Sequence, residues 1–459
     1  MSDATKPPVS TSATPNEAPA TDPVALMRTR RYRRLLVLAG FIGVVVSLAS
    51  WAFLEATHWL QQWVYVDLPK GLGFDQPPWW WPLPPLALAG VVIAFAVVRL
   101  TGHGGHDPAG GLASGPPVTP AQLPSVVLAA VATIGLGMVL GPEAPLLGLG
   151  TGVALFLADR GRRPVPDQAK MVIAAAGSFA ALATIFGSPV VGAVIIIEAA
   201  GLAGSTLPVV LLPGLVAAGI GSLVFVGVGS VTGLSSSAFA IPPLALPAYP
   251  EPRLTDFLWS IPLALAAALV VFLVMALGRR TRDVVATRPW FLHPAAALTV
   301  GLVAIGFAEV SGQPSSAVLF SGQDEMSGTV QQAATISAAT LALLLLAKAL
   351  AWGISMGSAR GGPTFPAIYL GLAGGLLASH LPGLAETPAI GVLVGAATVS
   401  VLRLPLSAII LALLITQAGV GVAPLIIVAV VVAYIATLML SARGAPNELR
   451  SARNAPSGP

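Results

Sequence analysis

Few side chains in this sequence can do chemistry, and the most isolated of them is Glu143, in the stretch LGMVLGPEAPL at 136–146. A greasy run breaks at Gly141, sets one carboxylate between Pro142 and Pro145, and turns greasy again. Glycine-rich breaks occur three times: GHGGHDPAGG at 102–111, LGPEAP at 140–145 and ARGGPTFP at 359–366. A helix that starts at a break presents unpaired N–H groups and the positive end of its dipole, and proline suits its first turn. Several such starts aimed at one point form an anion site built of backbone, which can hold an ion without gripping it too tightly to release. A carboxylate at a helix start is itself an anion and competes for that site. Protonation, or a swing of the side chain, vacates it. Glu143 is therefore a candidate gate. The alternative is a carboxylate that caps its own helix, for about 0.3–1 kcal/mol at an exposed position.

Other ionisable residues carry weaker signals. His103, His106 and Asp107 lie close together, but no further ligand is evident, so they read as polar loop residues and no metal or other cofactor is expected. Lys348, deep in LLLLAKALAWG, is a buried cation that needs a partner or water. It either draws anions toward a pathway or pairs with a carboxylate such as Glu198 or Glu309. Arg360, beside the third break, either attracts anions or snorkels to the interface. Glu309, Asp324 and Glu325 read as structural residues near the outer face, and Arg403 as one that orders its loop. There are no cysteines, which removes disulfides, thiolate zinc sites and cysteine nucleophiles. No HExxH, GxSxG or paired aspartates in adjacent spans are present, so an enzyme is not expected.

The elements that hold these residues must be membrane helices. Of 459 residues 55% are hydrophobic and only 9% charged, where a soluble domain is nearer a quarter charged. Residues 1–30 read as a disordered cytoplasmic tail, 31–440 as the transmembrane domain, and 441–459 as a second short cytoplasmic tail. The cluster Arg28, Arg30, Arg31, Arg33 and Arg34 precedes a first span at Leu35–Leu54 and keeps the N-terminus inside. The loops at Arg160–Arg163 and Arg279–Arg282 fit the same side. Trp79 to Trp81, the 243–256 loop and the stretch 311–326 fit the outside. Basic residues lie beside apolar segments, so they read as topology signals and not as a nucleic-acid surface. The apolar segments, among them 125–140, 145–158, 172–186, 189–200, 364–380, 388–401 and 404–417, are uneven, and several are too short for a bilayer core of about 30 Å at about 1.5 Å per residue. Half-membrane helices that meet in the middle are the expected solution.

The pattern is doubled. From Pro145 to Pro189 is 189 − 145 = 44 residues, and from Pro366 to Pro405 is 405 − 366 = 39. Each interval runs from a glycine break and proline through two apolar helices to an isoleucine-rich half-helix. The halves are expected at about 84–230 and 257–440, in a repeat-built transporter, although sequence leaves open whether the repeats are inverted.

At these residues the chain resembles the CLC family of chloride channels and proton/chloride antiporters. GMVLGPEAP resembles the family's GxEGP segment, and GGPTFP its GxFxP segment. GGHDP stands where the family carries GSGIP, and GQDEM at 322–326 resembles a loop of a divergent bacterial branch. The likeness covers about residues 31–450. It implies an all-α polytopic membrane protein of tilted, broken and half-membrane helices, and a homodimer with one pathway per subunit in the cell membrane. It places the gate at Glu143 and anion-binding groups at Gly104, Gly105, His106, Gly141, Ala144, Gly362, Thr364 and Phe365. Gly105 stands in place of the family's central serine, Pro363 lacks an N–H, and no filter tyrosine follows the last span. The proton-relay position falls on Ala199, with Glu198 one residue before it, so Glu143 and Glu198 are the candidates for a proton path. The expected function is passage of chloride or a similar small anion, with uncoupled permeation favoured over proton-coupled exchange. A secondary transporter of an organic solute is the further alternative.

Overall fold

Prolines and glycines cut the apolar sequence into helices of very unequal length. The computed structural model describes residues 27–112, 115–160, 165–204, 206–232, 243–244 and 246–443, and those are helical apart from loops and one isolated β-bridge. The first half contains α1 (Arg30–Gly71), α2 (Leu83–Arg99), α3 (Leu123–Gly135), α4 (Glu143–Asp159), α5 (Asp167–Ile185), α6 (Pro189–Ala199) and α7 (Thr206–Thr232). The second contains α8 (Leu254–Thr287), α9 (Pro289–Ser311), the short α10 (Glu325–Gln331), α11 (Ala338–Ser358), α12 (Thr364–Ala378), α13 (Glu386–Leu402), α14 (Pro405–Thr416) and α15 (Gly419–Arg443). Among the described residues α1, α5, α7, α8, α9, α11 and α15 are long and apolar enough to cross a membrane. The protein is an all-α, multi-pass membrane protein. Residues 1–26 and 444–459 of the two expected tails, and Arg162 and Arg163, lie outside the described residues.

Several boundaries differ from expectation, α5 for one starting at Asp167 and not at 172, and two of them have a plain cause. α1 outruns the apolar run Leu35–Leu54 and continues to Gly71 through a π-helical turn at Trp63–Asp67. Hydropathy falls after Leu54, but no glycine or proline stops the helix before Pro69, so the apolar run marks bilayer thickness and not helix length. α3 stops at Gly135 because the chain turns at Gly137, whose φ of 104° is open to glycine at little cost.

The two halves pack alike: α4 on α5, α5 on α6 and α7, and in parallel α12 on α13, α13 on α14 and α15. A glycine permits the tight crossing at the same place in each. Gly150 lies 150 − 143 = 7 residues after the start of α4, and Gly371 lies 371 − 364 = 7 after the start of α12. A Cβ on Gly150 would overlap the Gly177 carbonyl of α5, and one on Gly371 the Leu393 carbonyl of α13. Gly150→Ala is expected to force α4 off α5 at a cost of about 1–3 kcal/mol, read as an earlier loss of monodisperse elution on heating in detergent.

The halves meet at their breaks. Gly141 and Gly362, each two residues before its helix, exchange both backbone hydrogen bonds in an antiparallel bridge, at 2.8 and 2.6 Å. Two hydroxyls reinforce it reciprocally. Ser355 of α11 accepts from Val139 N–H at 3.1 Å, and Thr133 of α3 accepts from Arg360 N–H at 3.2 Å. Val139 precedes α4 by 143 − 139 = 4 residues and Arg360 precedes α12 by 364 − 360 = 4, so the two bonds are counterparts. Equivalent residues that exchange bonds in antiparallel fashion are related by a local two-fold axis, the relation that inverted repeats require.

Candidate anion site

The bridge sets two helix starts side by side, and Glu143, the first residue of α4, lies between them with none of its surface exposed. Its carboxylate reaches across to the other half: Oε1 accepts the N–H of Thr364, the first residue of α12, at 2.5 Å. The glycines make room for it. A Cβ on Gly362 would overlap the carboxylate, and one on Gly141 would meet Oε2 and the Phe365 ring. Phe365 stacks on Phe186, with centroids 5.9 Å apart and planes at 4°, and the pair walls the site. Among the described residues the buried Glu143 Oε2 and Thr364 Oγ1 have no hydrogen-bond partner. Buried polar atoms in that state are rare and costly, and here one stands at each of the two paired helix starts.

The first break joins the other two. Gly104, Gly105 and His106 line one small cavity with Ala144, Pro145 and Gly148 of α4 and with Gly361 of the third break. Its volume, about 10 Å³, gives room for about one water-sized occupant. The expected anion-binding residues are thus brought together: Gly104, Gly105, His106 and Ala144 on the cavity, and Gly141, Gly362, Thr364 and Phe365 around the carboxylate.

Several of their amides are already engaged, and this narrows the expected donor set. Gly104 N–H donates to Ser125 Oγ at 2.7 Å and Gly105 N–H to the Gly102 carbonyl at 2.8 Å. Those of Gly141 and Gly362 are spent on each other. These four glycines shape the site through their bare Cα atoms. In the first turns of α4 and α12, where helices leave N–H groups unpaired, the amides of Thr364 and Phe365 are turned to the Glu143 carboxylate, which leaves that of Ala144 as the candidate donor already open. Ser125, Thr133, Phe186 and Ser355 hold or wall the breaks and were not expected. Their signal in the sequence is small: hydroxyls within apolar helices, a few residues from a glycine break.

The remaining candidates lie apart from the carboxylate. Lys348 is fully buried, but its Nζ donates to the carbonyls of Ala317, Leu319 and Phe320 at 3.3, 2.8 and 3.2 Å and sits 4.7 Å from the Tyr369 ring centroid. Neither Glu198 nor Glu309 is its partner: it pins the 317–320 loop to α11, beside the Tyr369 ring of α12. Lys348→Met leaves three carbonyls without a donor, each costing about 1–3 kcal/mol when buried. A loss of 3 kcal/mol or more follows, large enough to show as a clear drop in the thermal midpoint or a failure to purify. Arg360 donates through Nε to the His103 carbonyl at 3.2 Å and through Nη1 to its own neighbour Ala359 at 3.0 Å, so it staples the third break to the first. Asp107 caps the turn at Pro108–Gly110 through Ala109 N–H and pairs with Arg282 of α8 at 3.0 Å. His103 and His106 bond to the carbonyls of Val97 and Pro116. Glu198, at the end of α6, accepts from Leu406 N–H, Ser407 N–H and Ser407 Oγ at 2.9, 2.8 and 2.7 Å. It thereby caps α14 of the other half.

A family model described as voltage gated chloride channel matches residues 99–438. The "Putative ion-transport protein YfeO" of Escherichia coli O7:K1 (strain IAI39 / ExPEC) is 32% identical over 366 residues, 77% of this chain and 81% of that protein. The protein of the same description from Shigella boydii serotype 4 (strain Sb227) matches to the same extent. Among solved structures, a slow cyanobacterial Cl-/H+ antiporter superposes with a TM-score of 0.70 at 18% identity, covering 89% of this chain and 95% of the other. A CLC-type fluoride/proton antiporter gives 0.67 at 17%, covering 89% and 96%.

Proposed function

Since the chain belongs to the voltage-gated chloride channel family, we propose that it carries small inorganic anions, chloride foremost, through the site at the paired helix starts, with Glu143 as the gate. The observation that carries this reading is the buried carboxylate seated on the N-terminus of α12. An anion already occupies the place where amides and helix dipoles favour one. Removal of its charge or of its side chain opens that place to a permeant ion. The small cavity on the three breaks supports an inorganic anion over an organic solute, which needs a site of roughly 300 Å³ or more.

Uncoupled permeation is favoured over exchange. Ala199 cannot carry a proton, and Glu198 spends its carboxylate on the start of α14. The protein works as a homodimer in the cell membrane with both termini in the cytoplasm. Exposed apolar residues on the half-helices and their neighbours, Val190, Leu223, Leu406 and Val420, supply surface for a second copy. The test is flux from liposomes that contain the purified protein, comparing chloride, nitrate and fluoride with and without a pH gradient. Chloride flux that leaves the proton gradient in place is expected. Uphill proton movement driven by a chloride gradient would replace permeation with exchange.

A further inference from the structure

A large cavity lies on the outer face, away from the anion site. It has a volume of about 630 Å³, within the range of about 300–1,000 Å³ that small-molecule sites occupy. It opens where the end of α1 and the tryptophan belt at 79–81 meet the end of α9 and the 314–325 loop. Its lining combines rings with acids: Tyr65, Trp79 and Trp81, and Glu309, Asp324 and Glu325. Neither lysine nor arginine lines it, and His58 is the basic side chain present.

Parts of this wall are fixed. Trp81 donates Nε1–H to the Val64 carbonyl at 3.0 Å, and Tyr65 donates its hydroxyl to the Leu136 carbonyl at 2.9 Å. Trp79 is 65% exposed, which leaves its ring free to close on an occupant. Among the described residues none of the three carboxylates makes a side-chain hydrogen bond or an ion pair within 4.0 Å: Asp324 feels the charge of His58 and Glu325 that of Lys348, whose ammonium is committed to loop carbonyls. A concave site with three acids in no direct ion pair, and with aromatic faces, suits a group that is positively charged, weakly hydrated and able to lie on a ring. We propose that this outer cavity binds an alkylammonium group. Two sources carry that chemistry: a free amine in the outside medium, and the headgroup of a lipid in the adjoining leaflet.

The test uses the full-length protein in maltoside detergent. Choline chloride is titrated at constant ionic strength against its uncharged isostere 3,3-dimethyl-1-butanol, with tryptophan fluorescence as the readout. A saturable change with choline and none with the isostere is expected. Glu309→Gln and Asp324→Asn, both at exposed side chains, are each expected to raise the half-saturating choline concentration by about three- to tenfold. Equal responses to choline and the isostere, or an unchanged half-saturation in both variants, would overturn the proposal. The same titration in nanodiscs separates the sources. A half-saturation raised by phosphatidylcholine but not by phosphatidylglycerol assigns the site to a lipid headgroup, and one equal in both lipids assigns it to a free amine. Trp79→Ala reports on the ring alone and is expected to weaken binding by about threefold.

Discussion

Glu143→Gln is expected to carry anions at every pH at the rate the unaltered protein reaches only in acid. The sign follows from the seat. The carboxylate holds the Thr364 amide, so under the proposed gating the site is blocked when Glu143 is charged and cleared when a proton neutralises it. Flux through the unaltered protein therefore rises as pH falls. A hydrogen bond to a charged group contributes about 1.5–3 kcal/mol, and about 1.4 kcal/mol is a factor of ten in occupancy. At alkaline pH the variant should exceed the parent by roughly ten- to a hundredfold. Efflux from chloride-loaded liposomes across a pH series measures this directly. A variant with the parent's pH profile would remove Glu143 from the gate.

The second large effect comes from a residue with no side chain. A methyl group on Gly362 would stand where the Glu143 carboxylate now lies, while the bond from its N–H to Gly141 needs no side chain and survives. Gly362→Ala is thus expected to expel the carboxylate and abolish the pH dependence of flux, much as loss of the acid does. The double variant with Glu143→Ala separates eviction from damage. If the methyl group acts only on the carboxylate, adding Gly362→Ala to Glu143→Ala changes the flux by less than about twofold. Residues that share a partner couple in this way, and those that do not add. A further tenfold loss in the double variant would mean that the methyl group blocks the ion itself.

The fold was legible because bilayer thickness constrains sequence more tightly than packing does. Runs such as 189–200 and 404–417 are too short to cross, and they became α6 and α14 within a residue or two of those limits. Glu143 stood out as a candidate gate because an acid between prolines in an apolar run has few other uses. The donors were less legible. Glycine at 104, 105, 141 and 362 signals a break, but the sequence does not tell an amide that faces an ion from one spent on a carbonyl or hydroxyl. Lys348 was misleading for a similar reason. A buried ammonium suggests a carboxylate or an anion, whereas three carbonyls of a distant loop satisfy it. Long-range backbone partners leave no periodic trace along the chain.

The crossed hydroxyls at the two breaks bear on how the protein is made. Val139 waits for an oxygen 216 residues further on, and the acceptor for Arg360 was laid down 227 residues before it. At about 5–20 residues per second the ribosome takes roughly 10–40 s to supply the missing partner. Throughout that interval bare peptide groups stand at mid-bilayer depth. The newly inserted N-terminal half must be sheltered by the insertion machinery or by water until its counterpart arrives, and a chain released early would be a ready target for membrane proteases.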